Sequence, residues 1–236
     1  MKSYILKSTE RGKADYGWLK ANYFFSFANY HHPDYVHFGA LRVLNDDSIA
    51  GGRGFDTHPH DNMEIITIVM EGALAHRDSM GHEEVIYPGE VQVMSAGTGV
   101  QHSEYNYKEK EQTSLFQIWI FPNQKNVKPR YEQKKFDAAH RINKWQKLVG
   151  SDNTDGSVMI HQNASIWMGD FDAGQKITYA SPIKDHIIYT LVIDGEIESP
   201  LGNMQKRDAL GWYQNELTLT SIKKSQILLL DVPLKW

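Results

Sequence analysis

Apolar residues along this chain recur at alternate positions or in short unbroken runs, and seldom at the three-to-four-residue spacing that marks one face of a helix. Residues 37–44, 63–70, 73–77, 84–87, 90–94 and 115–121 carry this pattern and are predicted to be strands. Between them stand turn-forming clusters: Asn45-Asp46-Asp47, Gly51-Gly52, Glu71-Gly72, Ser79-Met80-Gly81, Pro88-Gly89 and Gly97-Thr98-Gly99. Many short strands at close spacing predict an antiparallel sandwich or barrel.

The pattern breaks at residues 122–150, where charges are dense, Pro122 and Pro129 interrupt, and only 136–147 has a weak helical spacing. It then resumes, with strands predicted at 158–163, 165–170, 176–180, 186–193, 217–220 and 226–231. The chain therefore reads as an N-terminal β domain over 1–125, a crossover linker over 126–147 and a C-terminal β domain over 148–236. Setting Gly195 of IIYTLVIDGEIE on Gly72 of IITIVMEGALA makes both halves read strand, acidic-glycine turn, strand. The run IWIFP late in the first half has its counterpart in LLLDVP late in the second, and together these likenesses point to internal duplication.

Composition narrows the function. The 236 residues, 41% of them hydrophobic, are enough for ordered cores. A net charge of -4 offers no broad positive field, so direct binding of nucleic acid is not expected. No apolar run approaches the roughly 18 residues of a membrane span. The N-terminal stretch lacks the continuous apolar core of a secretory signal, which favours a soluble cytoplasmic protein, expected as a monomer. With no cysteine in the chain, imidazole and carboxylate are the strong metal ligands it can offer.

Those ligands gather in GGRGFDTHPHDNMEIITIVMEG and AGTGVQHSEYN. In a strand, side chains at i and i+2 share a face, so His58 and His60 can present two imidazoles to one point while Pro59 faces away. His102 and Glu104 repeat that geometry. A single His-x-His pair among 11 histidines is more often a turn feature, but two such pairs beside glycine-bearing turns are expected to converge if their strands are neighbours. Three neutral nitrogens and one carboxylate would suit a first-row divalent ion with open positions, able to take both an organic chelate and dioxygen.

These residues also carry a family likeness. Gly52-x5-His58-x-His60-x3-Glu64 resembles the first cupin signature, and Gly99-x2-His102-x3-Asn106 resembles the end of the second. FSFANYHHPD, LRVLNDD, FDTHPHDNMEI, MEGALAHRDSMG, MSAGTGVQHSEYN and QIWIFP together resemble the pirin family over most of residues 1–135. Gly97, and a spacing from Glu64 to Gly72 one residue longer than usual, depart from the general cupin pattern and agree with the pirin one. The resemblance implies an all-β bicupin, two antiparallel β-sandwich or jelly-roll domains packed face to face. It implies metal ligands at His58, His60, His102 and Glu104, and one divalent transition metal per chain, Fe(II) first, with Mn, Ni, Cu, Co or Zn open. Glu64, a ligand in many cupins, is left as a carboxylate that either orients a ligand or sits in a turn or at the surface.

Bacterial pirins resemble quercetin 2,3-dioxygenases, which open a flavonol ring with dioxygen and release carbon monoxide. The implied partners are a small aromatic substrate and O2, with Glu104 either remaining a ligand or taking the 3-hydroxyl proton as a catalytic base. Phe55, Met94 and Val100 are expected to wall the substrate pocket. The rival expectation is a metal- or redox-sensing regulatory protein acting through protein contacts, as the resemblance to eukaryotic pirins implies; a cupin sugar isomerase suits this ligand set less well. Under the Gly72–Gly195 alignment the positions of His58 and His60 fall on Ser181 and Ile183, and no histidine follows His186, so the C-terminal domain is expected to be metal-free. Trp212 and Tyr213 are expected in its core, and Phe24, Phe25 and Phe27 are expected to pin the N-terminal segment. His31-His32 is expected in a solvated turn, KEKE at 108–111 at a hairpin tip, and His76, His82, His140 and His161 at the surface.

Overall fold

Strands form where β-branched and long apolar residues run unbroken or alternate, as in EIITIVME at Glu64–Glu71 and SQILLLDVP at Ser225–Pro233, both buried along nearly their whole length. The computed structural model describes residues 2–236, and apart from the short 3-10 turn Ala138–Arg141 the regular elements among the described residues are strands.

The strands make four sheets, a large and a small one in each half. The large N-terminal sheet runs in space Arg130–Lys135, Glu90–Ser95, Glu64–Glu71, Thr113–Ile120, Leu41–Ile49, Leu19–Tyr23, Gly12–Asp15. Facing it is the small sheet Gly54–His60, Val100–Asn106, Leu74–Asp78, Glu83–Ile86. In the second half the large sheet runs Tyr4–Leu6, Ala209–Trp212, His186–Asp194, Ser225–Pro233, Ser165–Phe171, Gln146–Gly150, Val158–Met159. Its small partner runs Lys176–Ala180, Glu216–Ser221, Glu196–Ser199, Gly202–Gln205. The molecule is thus the all-β bicupin expected.

The two large sheets meet face to face. One apolar cluster crosses the junction, with Phe25, Phe38, Ile66 and Phe116 from the first half and Tyr189, Leu191 and Leu228 from the second. The Tyr189 ring lies 5.3 Å from that of Phe25 and 5.2 Å from that of Phe38. Smaller clusters fill each sandwich, around Leu19, Val69, Leu74 and Leu115 in the first and Ile188, Val192, Leu217 and Leu229 in the second. Phe24 and Phe25 are buried as expected, Tyr213 packs against the shared core and Trp212 against the C-terminal one.

The duplication is visible in matching turns. Gly72 and Gly195 both adopt positive φ, 81° and 96°. A side chain at either would strike a hydroxyl, that of Thr113 or that of Ser225. Those hydroxyls accept from the next backbone amide, Ala73 to Thr113 at 3.1 Å and Glu196 to Ser225 at 3.0 Å.

Four expectations need correction. The strand predicted at 37–44 begins only at Leu41, because Phe38 and Leu41 bridge a turn around Gly39 at φ 53°. That same strand continues to Ile49, so Asn45-Asp46-Asp47 is strand rather than turn. The weak helical spacing at 136–147 yields only the 3-10 turn, capped by the Asp137 carboxylate accepting from the Ala139 amide, and then the strand Gln146–Gly150. Residues 158–163 supply only the two-residue strand Val158–Met159. Edge strands are exchanged across the presumed boundaries as well: Arg130–Lys135 extends the N-terminal large sheet, whereas Tyr4–Leu6 crosses to pair with Ala209–Gly211.

Candidate metal centre

Gly54–His60 is the outer strand of its sheet, which is why Pro59 is tolerated there without breaking a ladder. Its inner neighbour places Val100 opposite His60 and His102 opposite His58. Regular pairing then ends: Glu104 stands opposite Phe55, so the outer strand holds one extra residue there, a bulge that turns the following side chains. Gly54 is needed at this point, since a side chain would collide with the Glu104 carbonyl and the Tyr105 backbone.

Ligating atoms of His58, His60 and His102 all lie within 4.8 Å of one another. The rings are 4.5 to 4.9 Å apart between centroids. The His58 Nδ1 sits 2.8 Å from the Asp56 carbonyl, which directs its Nε2 toward the cluster. His102 is only 2% exposed, yet neither of its ring nitrogens has a partner. Burial, with neighbouring imidazoles, pushes His60 down to about 4 and His102 down to about 3, so both are neutral and ready to bind a cation. An orphaned, neutral, buried imidazole beside two others fits a bound divalent ion.

Glu104 is 4% exposed and held from behind, with the Gln117 amide donating to its two oxygens at 3.0 and 3.3 Å and the Thr67 hydroxyl donating at 3.4 Å. Gln117 and Thr67 belong to a polar row that register lays across the inner face of the large sheet: Tyr23 beside Asn45, Asn45 beside Gln117, Gln117 beside Thr67, Thr67 beside Gln92. Gln92 in turn lies 3.2 Å from the His76 Nδ1. Far from being at the surface, His76 is 1% exposed, and its Nε2 is 3.2 Å from the Asp78 carboxylate. His76, His102 and Glu104 form a second close group directly behind the first. The signal for His76 was its place at i−2 from Asp78 on an alternating strand, drowned by the charges around it.

A cavity of about 210 Å³ opens onto this cluster, walled by Phe27, Phe55, Ile65 and Trp119. Of the three residues expected to wall a substrate pocket, Phe55 lines this cavity. Met94 and Val100 are not on that wall; they pack with Ile65 and Ala96 in a small cluster beneath. Glu64 is neither turn nor surface: it is 1% exposed, accepts from the Ser95 hydroxyl at 2.6 Å, and burial pushes it up to about 7. His31 and His140 are exposed and His32, His82 and His161 half-buried. In the second half Lys176–Ala180 and Glu216–Ser221 stand where Gly54–His60 and Val100–Asn106 stand in the first, and contain no histidine. The described residues contain no helix long and apolar enough to cross a membrane.

Residues 6–120 match the Pirin family, and residues 148–232 match the quercetinase C-terminal cupin domain. A quercetin 2,3-dioxygenase of Escherichia coli K12 is 39% identical over 231 residues, 98% of each chain. A pirin-like protein of Caulobacter vibrioides is 40% identical, covering 93% of this chain and 95% of its own. Among solved structures, the bacterial pirin YhhW of Escherichia coli in complex with nickel(II) superimposes with a TM-score of 0.92 at 38% identity, over 98% of this chain and 99% of that one. With both halves matched in order and with relatives alike over nearly their full length, this chain belongs to the pirin family of bicupins.

Proposed function

We propose that this chain is a metal-dependent dioxygenase that opens the ring of flavonols such as quercetin, with His58, His60, His102 and Glu104 holding one divalent ion. The observation that carries this reading is the buried His102 with both ring nitrogens unengaged, where His58 and His60 converge on an apolar cavity. The relatives' name, quercetin 2,3-dioxygenase, supports the substrate class. Iron(II) is our first assignment, since nitrogen and carboxylate donors with open positions suit an oxygen-activating ion.

When bound, the ion supplies Lewis acidity toward the hydroxyl and carbonyl oxygens of a chelating substrate and redox access to dioxygen. The rest is the work of the chain. Asp56 fixes the His58 ring, and Gln117 and Thr67 hold the Glu104 carboxylate in place. So held, Glu104 takes the acidic hydroxyl proton of the substrate. Phe27, Phe55, Ile65 and Trp119 keep water from the reacting face. The C-terminal domain, residues 148–236, serves as a cover that seals the first domain's large sheet.

The test is oxygen uptake with quercetin by metal-loaded protein, with carbon monoxide released in step and about one ion bound per chain. No uptake with any flavonol after loading with Fe, Mn, Ni, Cu or Co would overturn the reading and put a regulatory, protein-contacting role first.

A further inference from the structure

The cavity at the metal centre has a neighbour. A second cavity of about 290 Å³ adjoins it, and the two share Phe27, Asn45, Asp47 and Phe55 as a common wall. On its far side this chamber is aromatic, with Tyr16, Trp18 and Tyr23. Trp18 meets Phe55 edge-on at 5.2 Å, and Tyr23 lies 5.5 Å from Phe27, so the chamber is a box of rings.

Its one polar wall is unusual. Asn45 and Asp47 stand two apart on the strand Leu41–Ile49 and so share the inner face. They are 2% and 5% exposed, and the Oδ1 of each has no hydrogen-bond partner. A buried acceptor left unpaired weakens a fold, and two side by side at the junction of two apolar cavities make the arrangement expected of a site that completes its hydrogen bonds with a ligand. Neither belongs to the metal ligand set, and the Gln117 amide beside Asn45 donates to Glu104 instead.

We propose that Asn45 and Asp47 receive hydroxyl groups on the aromatic ring that is not held at the metal centre, and that the Tyr16–Trp18–Tyr23 chamber houses that ring. The substrate class is then planar aromatics with oxygen groups at both ends: a hydroxyl and carbonyl pair for the metal, and further hydroxyls for this wall. The chelating end rests on the flavonol reading above; the wall does not. A bare or methoxylated ring offers the two oxygens no hydrogen and leaves them buried and unpaired, which is how a polar pocket rejects an analogue that lacks a hydroxyl.

Anaerobic calorimetry on the metal-loaded chain separates binding from turnover. Quercetin is compared with 3-hydroxyflavone, which keeps the chelating pair and has no other hydroxyl, and with quercetin methylated on its remote hydroxyls. Quercetin is expected to bind at least about tenfold more tightly than either, and Asn45→Leu and Asp47→Leu to collapse that ratio toward one. Equal affinities in the parent, or a ratio unchanged in the leucine variants, overturn the proposal; should a variant fail to fold, the parent's ratio alone decides. Turnover in air reports separately. A preference without oxygen uptake removes the dioxygenase reading and leaves this one, uptake without preference does the reverse, and no binding of any of the three removes both.

Discussion

Gln117 determines what Glu104 can do. Its amide spans both carboxylate oxygens, so the carboxylate is held in one orientation, with an oxygen within 4.8 Å of ligating nitrogens of His76 and His102, at little further cost in side-chain entropy. Glu104→Gln is expected to keep most of the metal, since three imidazoles remain, and to lower flavonol turnover by at least about a hundredfold, because an amide cannot accept the hydroxyl proton. Metal content and rate must come from the same samples, and a metal-replete variant as fast as the parent would remove the base assignment. Glu64 offers a test outside the site. It releases its proton near 4.5 in the unfolded chain and at about 7 in the fold, so between those values the unfolded state holds fewer protons and stability falls as pH rises. That contribution is complete below pH 4.5, is lost on rising through 7, and amounts to about 3 kcal/mol. Glu64→Gln should therefore gain on the parent in urea unfolding between pH 5 and pH 8; a constant difference would count against a buried neutral Glu64. The convergence of His58, His60 and His102 was legible because i, i+2 spacing in a strand is rigid geometry. Asn45, Asp47 and His76 were not, because residues usually found in turns or at the surface look the same in sequence when a buried polar row claims them.

At the scale of elements, strands were legible wherever burial demanded unbroken apolar residues, as at Glu64–Glu71 and His186–Asp194. What escaped were edge strands such as Arg130–Lys135, whose half-exposed residues carry no apolar period and whose pairing is decided by which neighbour lies open. The twin turns were legible too, and they are equivalent in detail: a positive-φ glycine against a Thr113 or Ser225 hydroxyl that accepts from the next amide. An alanine at either position meets the same two penalties, a strained backbone and a collision with that hydroxyl. Gly72→Ala and Gly195→Ala should each cost about 1–3 kcal/mol in urea unfolding. A large loss at one and none at the other would mean that the two halves no longer share the turn, whatever their ancestry.

The whole molecule is tied together by an exchange that the linear reading could not supply. The first strand, Tyr4–Leu6, leaves its own half and pairs in register with Ala209–Gly211 at the edge of the other. Leu6 is 1% exposed in the core common to both halves, the Ser8 amide donates to Asp208 at 2.8 Å, and Lys7 reaches the same carboxylate at 2.9 Å. Removing the first eight residues would expose a strand edge, leave Asp208 without these partners and give up the burial of Leu6, which alone is worth about 1.5–3 kcal/mol. The truncated chain should unfold at lower urea and associate through the bared edge of Ala209–Trp212, as unpaired edges do. Its metal content should hold, because every proposed ligand lies on the small sheet of the other half. Since Phe25, Phe38 and Tyr189 make one core of the two halves, the parent is expected to unfold in a single cooperative step. Two separate transitions in the parent, or a truncation that leaves the midpoint unchanged, would mean that the halves stand independently and that the exchanged strand is an ornament rather than a tie.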